Sequence, residues 1–169
     1  MTLEIIEARP DLKPVVLNLG LYYIYDFTEF VGFRCPDDGL FRRSHWDKYW
    51  TEPGRWAFYV KVDGEPGGFV LVSTEGTQPG TMYTIEEFFI MRKFRKRGLG
   101  QKVAFDILNR FRGKWEVREV VQNEPAIAFW RKVIERYTQG RYTELPEPVQ
   151  HGKYVWVVQT FDNSDRVAQ

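Results

Sequence analysis

A basic segment that contains glycines is the part of this chain whose residue types and spacing point most clearly to chemistry. Six of the eleven residues from Arg92 to Lys102 are basic and none is acidic. The segment follows an apolar run that ends near Met91, and Gly98 and Gly100 open the helix predicted after it. The first turn of a helix presents unpaired N–H groups and a positive dipole end, and glycine lets a bulky anion approach them. We therefore predict a phosphate site here, and the number of cations favours a diphosphate over a single phosphate.

Two better-known phosphate motifs do not fit this segment. A P-loop would require Gly-Lys-Ser/Thr, and the dinucleotide fingerprint would require a third glycine where this chain has Val103. The plain alternative is that the glycines only begin a helix and that the charges form a solvated loop. That interpretation would be preferred for an isolated Gly-x-Gly. Here the basic run, the glycines and a strand-to-helix junction coincide, which favours the phosphate site.

Two carboxylates interrupt the apolar run before this segment. Burying Glu86 or Glu87 is costly unless the carboxylate has a partner or a function. Because side chains alternate along a strand, Glu86 shares a face with Phe88 and Ile90, while Glu87 faces the other way. One of the two could accept a proton in catalysis. The plain alternative is that both pair with Arg or Lys of the basic segment.

The elements that must position these residues follow from hydrophobic periodicity. Alternation and short apolar runs predict strands over 3–8, 56–62, 69–73, 82–91, 115–121, 141–145 and 153–161. Helical spacing predicts helices over 14–30, from 99 onward and from 123 onward, with a less regular helical segment over 41–50. Asn123 is a good N-cap residue. The strand-helix-strand unit over 82–121 should be a right-handed parallel crossover, so the fold class is α/β with a mostly antiparallel sheet around a parallel centre.

Length and composition set the number of domains and exclude several classes of protein. With 169 residues and 43% hydrophobic residues, we expect one folded domain over 1–161 and a polar, flexible tail over 162–169. A net charge of +1 argues against a general nucleic-acid binder. Cys35, His45 and His151 are too few for a disulfide or a metal centre, so we expect neither. With no leader pattern and no bilayer-length apolar run, we expect a soluble cytoplasmic protein that binds neither membrane nor nucleic acid.

The basic segment also resembles the signature of a known family. Arg95-x-x-Gly98-x-Gly100 is similar to the Arg/Gln-x-x-Gly-x-Gly/Ala motif of the GNAT superfamily of N-acyltransferases, and Ile90 stands at the aliphatic position five residues before Arg95. The first helix adds Tyr25-Asp26-Phe27, which resembles a group of predicted small bacterial acetyltransferases of this superfamily.

A second motif follows in the expected order. Asn123-x-x-Ala126-x-x-Phe129-Trp130 resembles the Asn-x-x-Ala-x-x-Phe-Tyr helix start of the same superfamily. Together the two motifs give a resemblance over about 85–133, and two spaced motifs in order are more specific than either alone.

The resemblance implies acetyl-CoA as the acyl donor. GNAT proteins bind it in a V-shaped gap between two splayed parallel strands, here 82–91 and 115–121, with helices on both faces of the sheet. The diphosphate would lie on the loop after the first strand, and a backbone N–H of that strand would face the thioester oxygen. The implied cofactor-binding residues are Phe88, Phe89, Ile90, Arg95, Lys96, Arg97, Gly98, Leu99, Gly100, Asn123 and Phe129.

The resemblance also implies direct transfer of the acetyl group to an amine. The amine must first lose a proton, because the pKa of an alkyl ammonium is about 10.4. Family members that use an acidic base usually carry it on the strand face that Glu86 occupies. We therefore expect Glu86 to be the catalytic base, through a water, and Glu87 to be a structural ion-pair partner. Many members have a Tyr general acid where this chain has Trp130, which cannot donate a proton to a thiolate. A CoA thiolate should leave fairly well without an acid, because the pKa of the CoA thiol should be about 8.5, as for cysteine.

In GNAT folds the first helical segments form the wall of the acceptor site. The resemblance thus implies acceptor contacts for Tyr25, Asp26 and Trp46, and aromatic rings beside a carboxylate suit a cationic amine. The plain alternative for any one ring is packing against the sheet. The acceptor, a small molecule or a protein, is not identified by the sequence, and a homodimer is left open.

The sequence is compatible with three functions. The leading one is an acetyl-CoA-dependent N-acetyltransferase. The second is a non-catalytic acyl-CoA-binding module, which Trp130 in place of Tyr would suit. The third is a nucleic-acid-binding module, suggested by the run from Arg92 to Arg97, against which the near-neutral charge and the glycines count.

Overall fold

The computed structural model describes residues 1–41 and 44–165. Within these ranges the strands are β1 (Leu3–Glu7), β2 (Arg55–Val62), β3 (Glu65–Ser73), β4 (Tyr83–Ile90), β5 (Lys114–Val120), β6 (Thr143–Glu144), β7 (Val149–His151) and β8 (Tyr154–Asp162). The α-helices are α1 (Lys13–Val31), α2 (Lys48–Thr51), α3 (Leu99–Arg110) and α4 (Glu124–Thr138), with 3-10 turns at Ser44–Asp47 and Arg92–Phe94. Positions 42–43 of the predicted helical segment and 166–169 of the predicted tail lie outside the described residues.

The fold class predicted from the sequence is confirmed. The strands pair in the order β1-β2-β3-β4-β5-β8-β6, and β7 pairs with β8. The sheet is mostly antiparallel, and β4 and β5 form its parallel pair, which extends only from Tyr83↔Trp115 to Ile85↔Val117. The short strand β7 is not expected from the sequence, in which the prolines and glycine of 146–152 indicate a break between strands.

The chain divides into two compact units. Unit 1 comprises Met1–Val72 with Glu87–Leu99, and unit 2 comprises Ser73–Glu86 with the chain from Gly100 on. Strand β4 begins in unit 2 and ends in unit 1. The expectation of a single domain over 1–161 stays a prediction.

Unit 1 has an aromatic core beneath α1. Trp46 lies in this core with only 1% of its surface exposed, and its ring centroid is 5.3 Å from that of Phe69. Gly20 on α1 makes this packing feasible, since a Cβ there would lie 2.6 Å from the Trp46 ring. Any larger residue at Gly20 would force the indole or the helix to move.

The connection between β2 and β3 is a two-residue turn. Asp63 and Gly64 both have positive φ, at 51° and 81°, which is the backbone of a tight hairpin. Gly67 and Gly68, which precede the strand predicted over 69–73, lie inside β3. A Cβ on Gly68 would lie 2.1 Å from the Phe89 carbonyl oxygen, so glycine is needed there for the backbone of β4 to approach.

Unit 2 continues further towards the C-terminus than the sequence indicated. The tail was expected from residue 162, but Asp162 ends β8 and Asn163 is buried. Asn163 Nδ2 donates to the carbonyl oxygens of Leu108 and Phe111, and Asn163 Oδ1 accepts from the N–H of Gly113. These bonds satisfy backbone groups where α3 ends.

Glu119 on β5 is a buried carboxyl group in unit 2. It is 4% exposed, and neither carboxyl oxygen has a hydrogen-bond partner among the described residues. Burial raises the pKa of Glu119 to about 9; the charge of nearby Glu144 adds to the rise, and Gln159 and Arg131 offset part of it. Glu144 is itself paired with Arg131 at 2.5 Å, so that guanidinium is already engaged. Glu119 therefore keeps its proton at neutral pH in the folded protein.

We predict that Glu119 makes the free energy of unfolding fall as the pH rises from about 4.5 to about 9. In this range the unfolded chain has released the proton and the folded chain retains it, so raising the pH favours unfolding. Glu119→Gln, which cannot ionise, should be more stable than the parent near pH 8, by about 1 kcal/mol or more, and should depend less on pH. Chemical denaturation of both proteins across this range measures the difference. A parent that loses no more stability than the variant would contradict the prediction.

Candidate active site

The predicted phosphate segment lies in unit 1 between two buried anchors. Phe94 ends the 3-10 turn after β4, Leu99 begins α3, and both side chains are buried. The residues between them, from Arg95 to Gly98, are exposed. The segment is therefore held at both ends and accessible in the middle.

The backbone of this segment turns through left-handed conformations. Lys96 has a φ of 62° and Gly98 a φ of 75°. A Cβ on Gly98 would have no neighbouring atom within 4 Å, so the space beside this glycine is open. The segment thus offers room for a ligand next to the first N–H groups of α3, which suits an anion.

Arg95 is tied to two neighbours within unit 1. Its Nε donates to the carbonyl oxygen of Ile90 at 2.7 Å, and its Nη2 donates to Asp26 Oδ2 at 2.6 Å. Its guanidinium also lies over the ring of Phe89, 5.5 Å from the centroid. Arg95 therefore joins the end of β4 to α1, a role that the motif alone did not reveal.

Asp26 is the shared counter-ion of two arginines. Besides Arg95, it accepts from Arg92 Nε at 3.0 Å, and this hydrogen bond raises the pKa of the guanidinium further above its usual value. Asp26 was expected to contact the acceptor amine. In the structure a cationic acceptor would have to compete with two guanidinium groups for this carboxylate.

The remaining cations of the segment differ in their pairing. Lys93 is paired with Glu65 at 2.5 Å. Lys96 and Arg97 are exposed and form no ion pair within the described ranges 1–41 and 44–165. They are the cations of 95–98 without an ion pair there, and Lys102 on α3 is likewise exposed without one in the same ranges.

Two other residues expected at the acceptor site lie in different surroundings. Tyr25 is 65% exposed on α1. Trp46 is enclosed by Gly20, Tyr23 and Phe69, so its burial gives it a packing role rather than a place in the wall of an open site. The bulk of an indole ring among other apolar side chains is sufficient reason for this burial.

Glu86 lies in unit 2 with two hydrogen-bond donors. Ser73 Oγ donates to its Oε1 at 2.7 Å, and Arg118 Nη2 on β5 donates to its Oε2 at 3.0 Å. The Glu86 side chain is 23% exposed. The plain alternative predicted an ion pair between Glu86 and the basic segment. Glu86 does form an ion pair, but with Arg118 on β5. The sequence alone gives no signal for this pair, because the pair depends on the register of β4 with β5, whose last aligned pair is Ile85↔Val117.

Glu87 lies in unit 1 and accepts a hydrogen bond from the hydroxyl of Tyr23 at 2.6 Å. The two glutamates thus have different neighbours, as the strand alternation indicated. Phe89 and Ile90 after them are buried, while Phe88 is half-buried.

The second motif lies at the start of α4 in unit 2. Asn123 Oδ1 accepts from the N–H of Ala126 at 3.1 Å, which confirms the predicted N-cap. The ring of Phe129 lies 5.2 Å from that of Trp130, which is only 5% exposed. Gly100, the last glycine of the first motif, is half-buried in the first turn of α3.

Neither a metal centre nor a membrane span is found in the part of the chain that the structure describes. Among residues 1–41 and 44–165 there is no cluster of three or more His, Cys, Asp or Glu side chains that could hold a metal ion. No helix within the same ranges is both long and apolar enough to cross a membrane.

Comparison with known families gives one match over most of the chain. A sequence profile described as acetyltransferase (GNAT) family matches residues 21–134. Comparison with curated protein sequences gives no significant match.

Solved structures share the fold at low sequence identity. An acetyltransferase from Thermus thermophilus superposes with a TM-score of 0.67 at 16% identity, covering 96% of this chain and 97% of that one. A GNAT family acetyltransferase from Elizabethkingia anophelis with acetyl-CoA bound gives 0.58 at 14% identity, covering 95% and 97%. The ribosomal-protein-S18-alanine N-acetyltransferase from Escherichia coli gives 0.60 at 12% identity, covering 99% and 97%.

We predict that Gly98→Asp weakens CoA binding at least about tenfold more than Gly98→Asn does. Asn and Asp both tolerate left-handed backbone, and they add similar bulk to the open space. The difference in affinity between the two variants therefore reports the effect of the added negative charge. Titration calorimetry at fixed salt measures both affinities, and melting curves confirm that both variants fold. Equal affinities would mean that the phosphate assignment is wrong.

Proposed function

Because this chain belongs to the GNAT acetyltransferase family and uses acetyl-CoA, we propose that it transfers the acetyl group directly to an amine of a small molecule or a protein. The observation that carries the proposal is the segment from Arg95 to Gly98, held at both ends and exposed between them. Two cations without ion pairs in the described ranges and an open glycine are what a diphosphate needs.

For binding, the proposal assigns the diphosphate to Lys96, Arg97 and the N–H groups at the start of α3. Arg95 acts here as a support, since its guanidinium is occupied by Ile90 and Asp26. Asn123 and Phe129 remain proposed contacts of the cofactor arm from unit 2. The backbone N–H groups near Phe88 are proposed to donate to the thioester oxygen, which gains negative charge during the reaction.

For the chemical step, acetyl-CoA supplies an acyl group activated as a thioester. Glu86 takes a proton from the acceptor amine through a water molecule, which frees the nitrogen lone pair for attack on the acyl carbon. The bond to sulfur then breaks, and the departing thiolate takes up the second proton that the nitrogen releases, which gives the amide and the CoA thiol.

Glu86 is preferred over the other carboxylates for this role. Asp26 is held between two guanidinium groups, and Glu87 receives the Tyr23 hydroxyl. Glu86 accepts from Ser73 and Arg118, but a carboxylate has about four lone-pair sites, and its side chain remains partly exposed. It can therefore accept a further hydrogen bond from water.

A second candidate function is a non-catalytic acyl-CoA-binding module. It is favoured by Trp130, which is buried where many family members carry a Tyr acid. The two functions differ in whether free CoA thiol accumulates when acetyl-CoA is supplied with a panel of amines. Accumulation that depends on the amine supports the transferase, and its absence across a broad panel supports the binding module.

We predict that CoA and acetyl-CoA each raise the melting temperature. Ligand at 100 times its dissociation constant should add about 2.7 kcal/mol to the free energy of unfolding. Thermal-shift titration measures this, with adenosine as the control ligand because it lacks the diphosphate. No shift with either CoA compound would contradict both candidate functions.

We predict that Glu86→Gln lowers turnover by about 10²–10⁴-fold while leaving acetyl-CoA affinity nearly unchanged. The amide keeps the shape of the side chain but cannot take the proton. The loss should shrink as the pH rises, because more of the amine is then already unprotonated. Glu87→Gln is the matched control and should lose much less. Parental turnover in Glu86→Gln near neutral pH would place the base elsewhere.

A further inference from the structure

We propose that Arg118 is a positioning residue that holds the Glu86 carboxylate in its working orientation. This inference rests on the proposed role of Glu86 and deepens it. All the contacts that carry it lie in unit 2.

Arg118 contacts Glu86 directly. The parallel register ends at Ile85↔Val117, so the next residue on each strand, Glu86 and Arg118, lies on the same face. Arg118 Nη2 is 3.0 Å from Glu86 Oε2, and the other carboxylate oxygen accepts from Ser73. The two donors approach different oxygens, which fixes the rotation of the carboxylate as well as its place.

Arg118 is itself held in place by Glu116 and Trp156. Its Nη1 lies 3.4 Å from Glu116 Oε1, and its guanidinium lies over the ring of Trp156, 5.9 Å from the centroid. The arginine side chain is 12% exposed. A guanidinium that is enclosed on these sides loses little further freedom when it pairs with Glu86, so it can orient that group at low entropic cost.

Glu116 anchors the arginine through Nη1, the nitrogen that does not contact Glu86. This wholly buried carboxylate accepts from the N–H groups of Thr77 and Gln78 and from the hydroxyls of Thr77 and Thr81. Burial acts to raise its pKa, but these hydrogen bonds and the Arg118 charge outweigh burial and lower the pKa below its usual value. The loop after β3 is thereby joined through Glu116 and Arg118 to Glu86.

The charges of the group also suit the proposed acceptor. One arginine stands between two carboxylates, and Glu116 already receives several N–H and O–H donors. The three groups together carry one net negative charge. Because Glu116 is already satisfied by its donors, Glu86 is the carboxylate that can attract a protonated amine. Arg118 orients Glu86 without cancelling the charge of the whole group.

A spectroscopic experiment tests the positioning without any acceptor. The protein is labelled with ¹³C at the glutamate carboxyl carbon, and Glu86→Gln identifies the Glu86 resonance by its loss. Arg118→Met should shift that resonance and leave the Glu144 resonance unchanged, and Arg118→Lys should move it back towards the parental position. An unmoved Glu86 resonance in Arg118→Met overturns the proposal. If Arg118→Met does not fold, the same criterion applies to Arg118→Lys, whose shorter side chain must still displace the signal.

A double-mutant cycle links the positioning to turnover. With the amine that gives the fastest thiol release, Arg118→Met should lower kcat by about 10–100-fold, with the KM for acetyl-CoA changed by less than about threefold. In the Glu86→Gln background the same substitution should change kcat by less than about threefold. Arg110→Met, which removes an arginine from the surface pair with Asp106, is the matched control and should change kcat by less than about twofold.

The outcomes separate this inference from the proposed function. If Glu86→Gln alone keeps parental turnover, the proposed base is wrong. If Glu86→Gln is impaired but Arg118→Met slows the parent and the Glu86→Gln variant equally, Glu86 stands as the base and the positioning role of Arg118 is overturned.

Discussion

Glu116 is a charge placed wholly inside unit 2, and the order of the surrounding polar groups depends on how that charge is satisfied. A carboxylate removed from water must receive donors, and the chain supplies them by bringing the segment from Thr77 to Thr81 over it. The arginine that approaches from the same strand is then fixed in place. Glu86 receives that arginine on one oxygen and a serine on the other, so the orientation of the proposed base is a consequence of a buried charge two contacts away.

Unit 1 also contains a polar group that must be given a hydrogen-bond partner, and different residues supply it. The end of β4 leaves a carbonyl at Ile90, and Arg95 satisfies it while also pairing with Asp26 on α1. The same helix contributes the Tyr23 hydroxyl to Glu87. Both units thus use polar side chains to join neighbouring elements: Arg95 joins the end of β4 to α1 in unit 1, and Arg118 joins β5 to Glu86 of β4 in unit 2.

What the sequence predicted correctly depends on local interactions. Asn123 caps its helix through a bond to a residue three positions away, and the apolar spacing from residue 99 onward marks α3. Such features are readable from composition and spacing. The strand-helix-strand unit was also predictable, because a long apolar strand followed by an amphipathic helix has few alternatives.

What the sequence did not predict depends on register and packing. Arg118 faces Glu86 only because β4 and β5 align at Ile85↔Val117, and nothing local fixes that alignment. Trp46 was expected beside an acceptor, but the absence of a side chain at Gly20 opened space for its ring in the core. The burial of Glu119 likewise follows from tertiary packing, since a lone carboxylate in a strand sequence gives no sign of its protonation state.

The internal counter-ions of the basic segment have a consequence for selectivity. Asp26 and Glu65 offset part of the positive charge that the linear sequence displays, and they do so at fixed positions. A polyanion attracted by diffuse charge would therefore meet a weaker field than the count of arginines and lysines suggests. A compact ligand that reaches Lys96, Arg97 and the helix start at once still finds its full set of donors. If the segment holds the proposed diphosphate, we expect it to distinguish anions by shape, with binding less sensitive to ionic strength than that of an unpaired basic run.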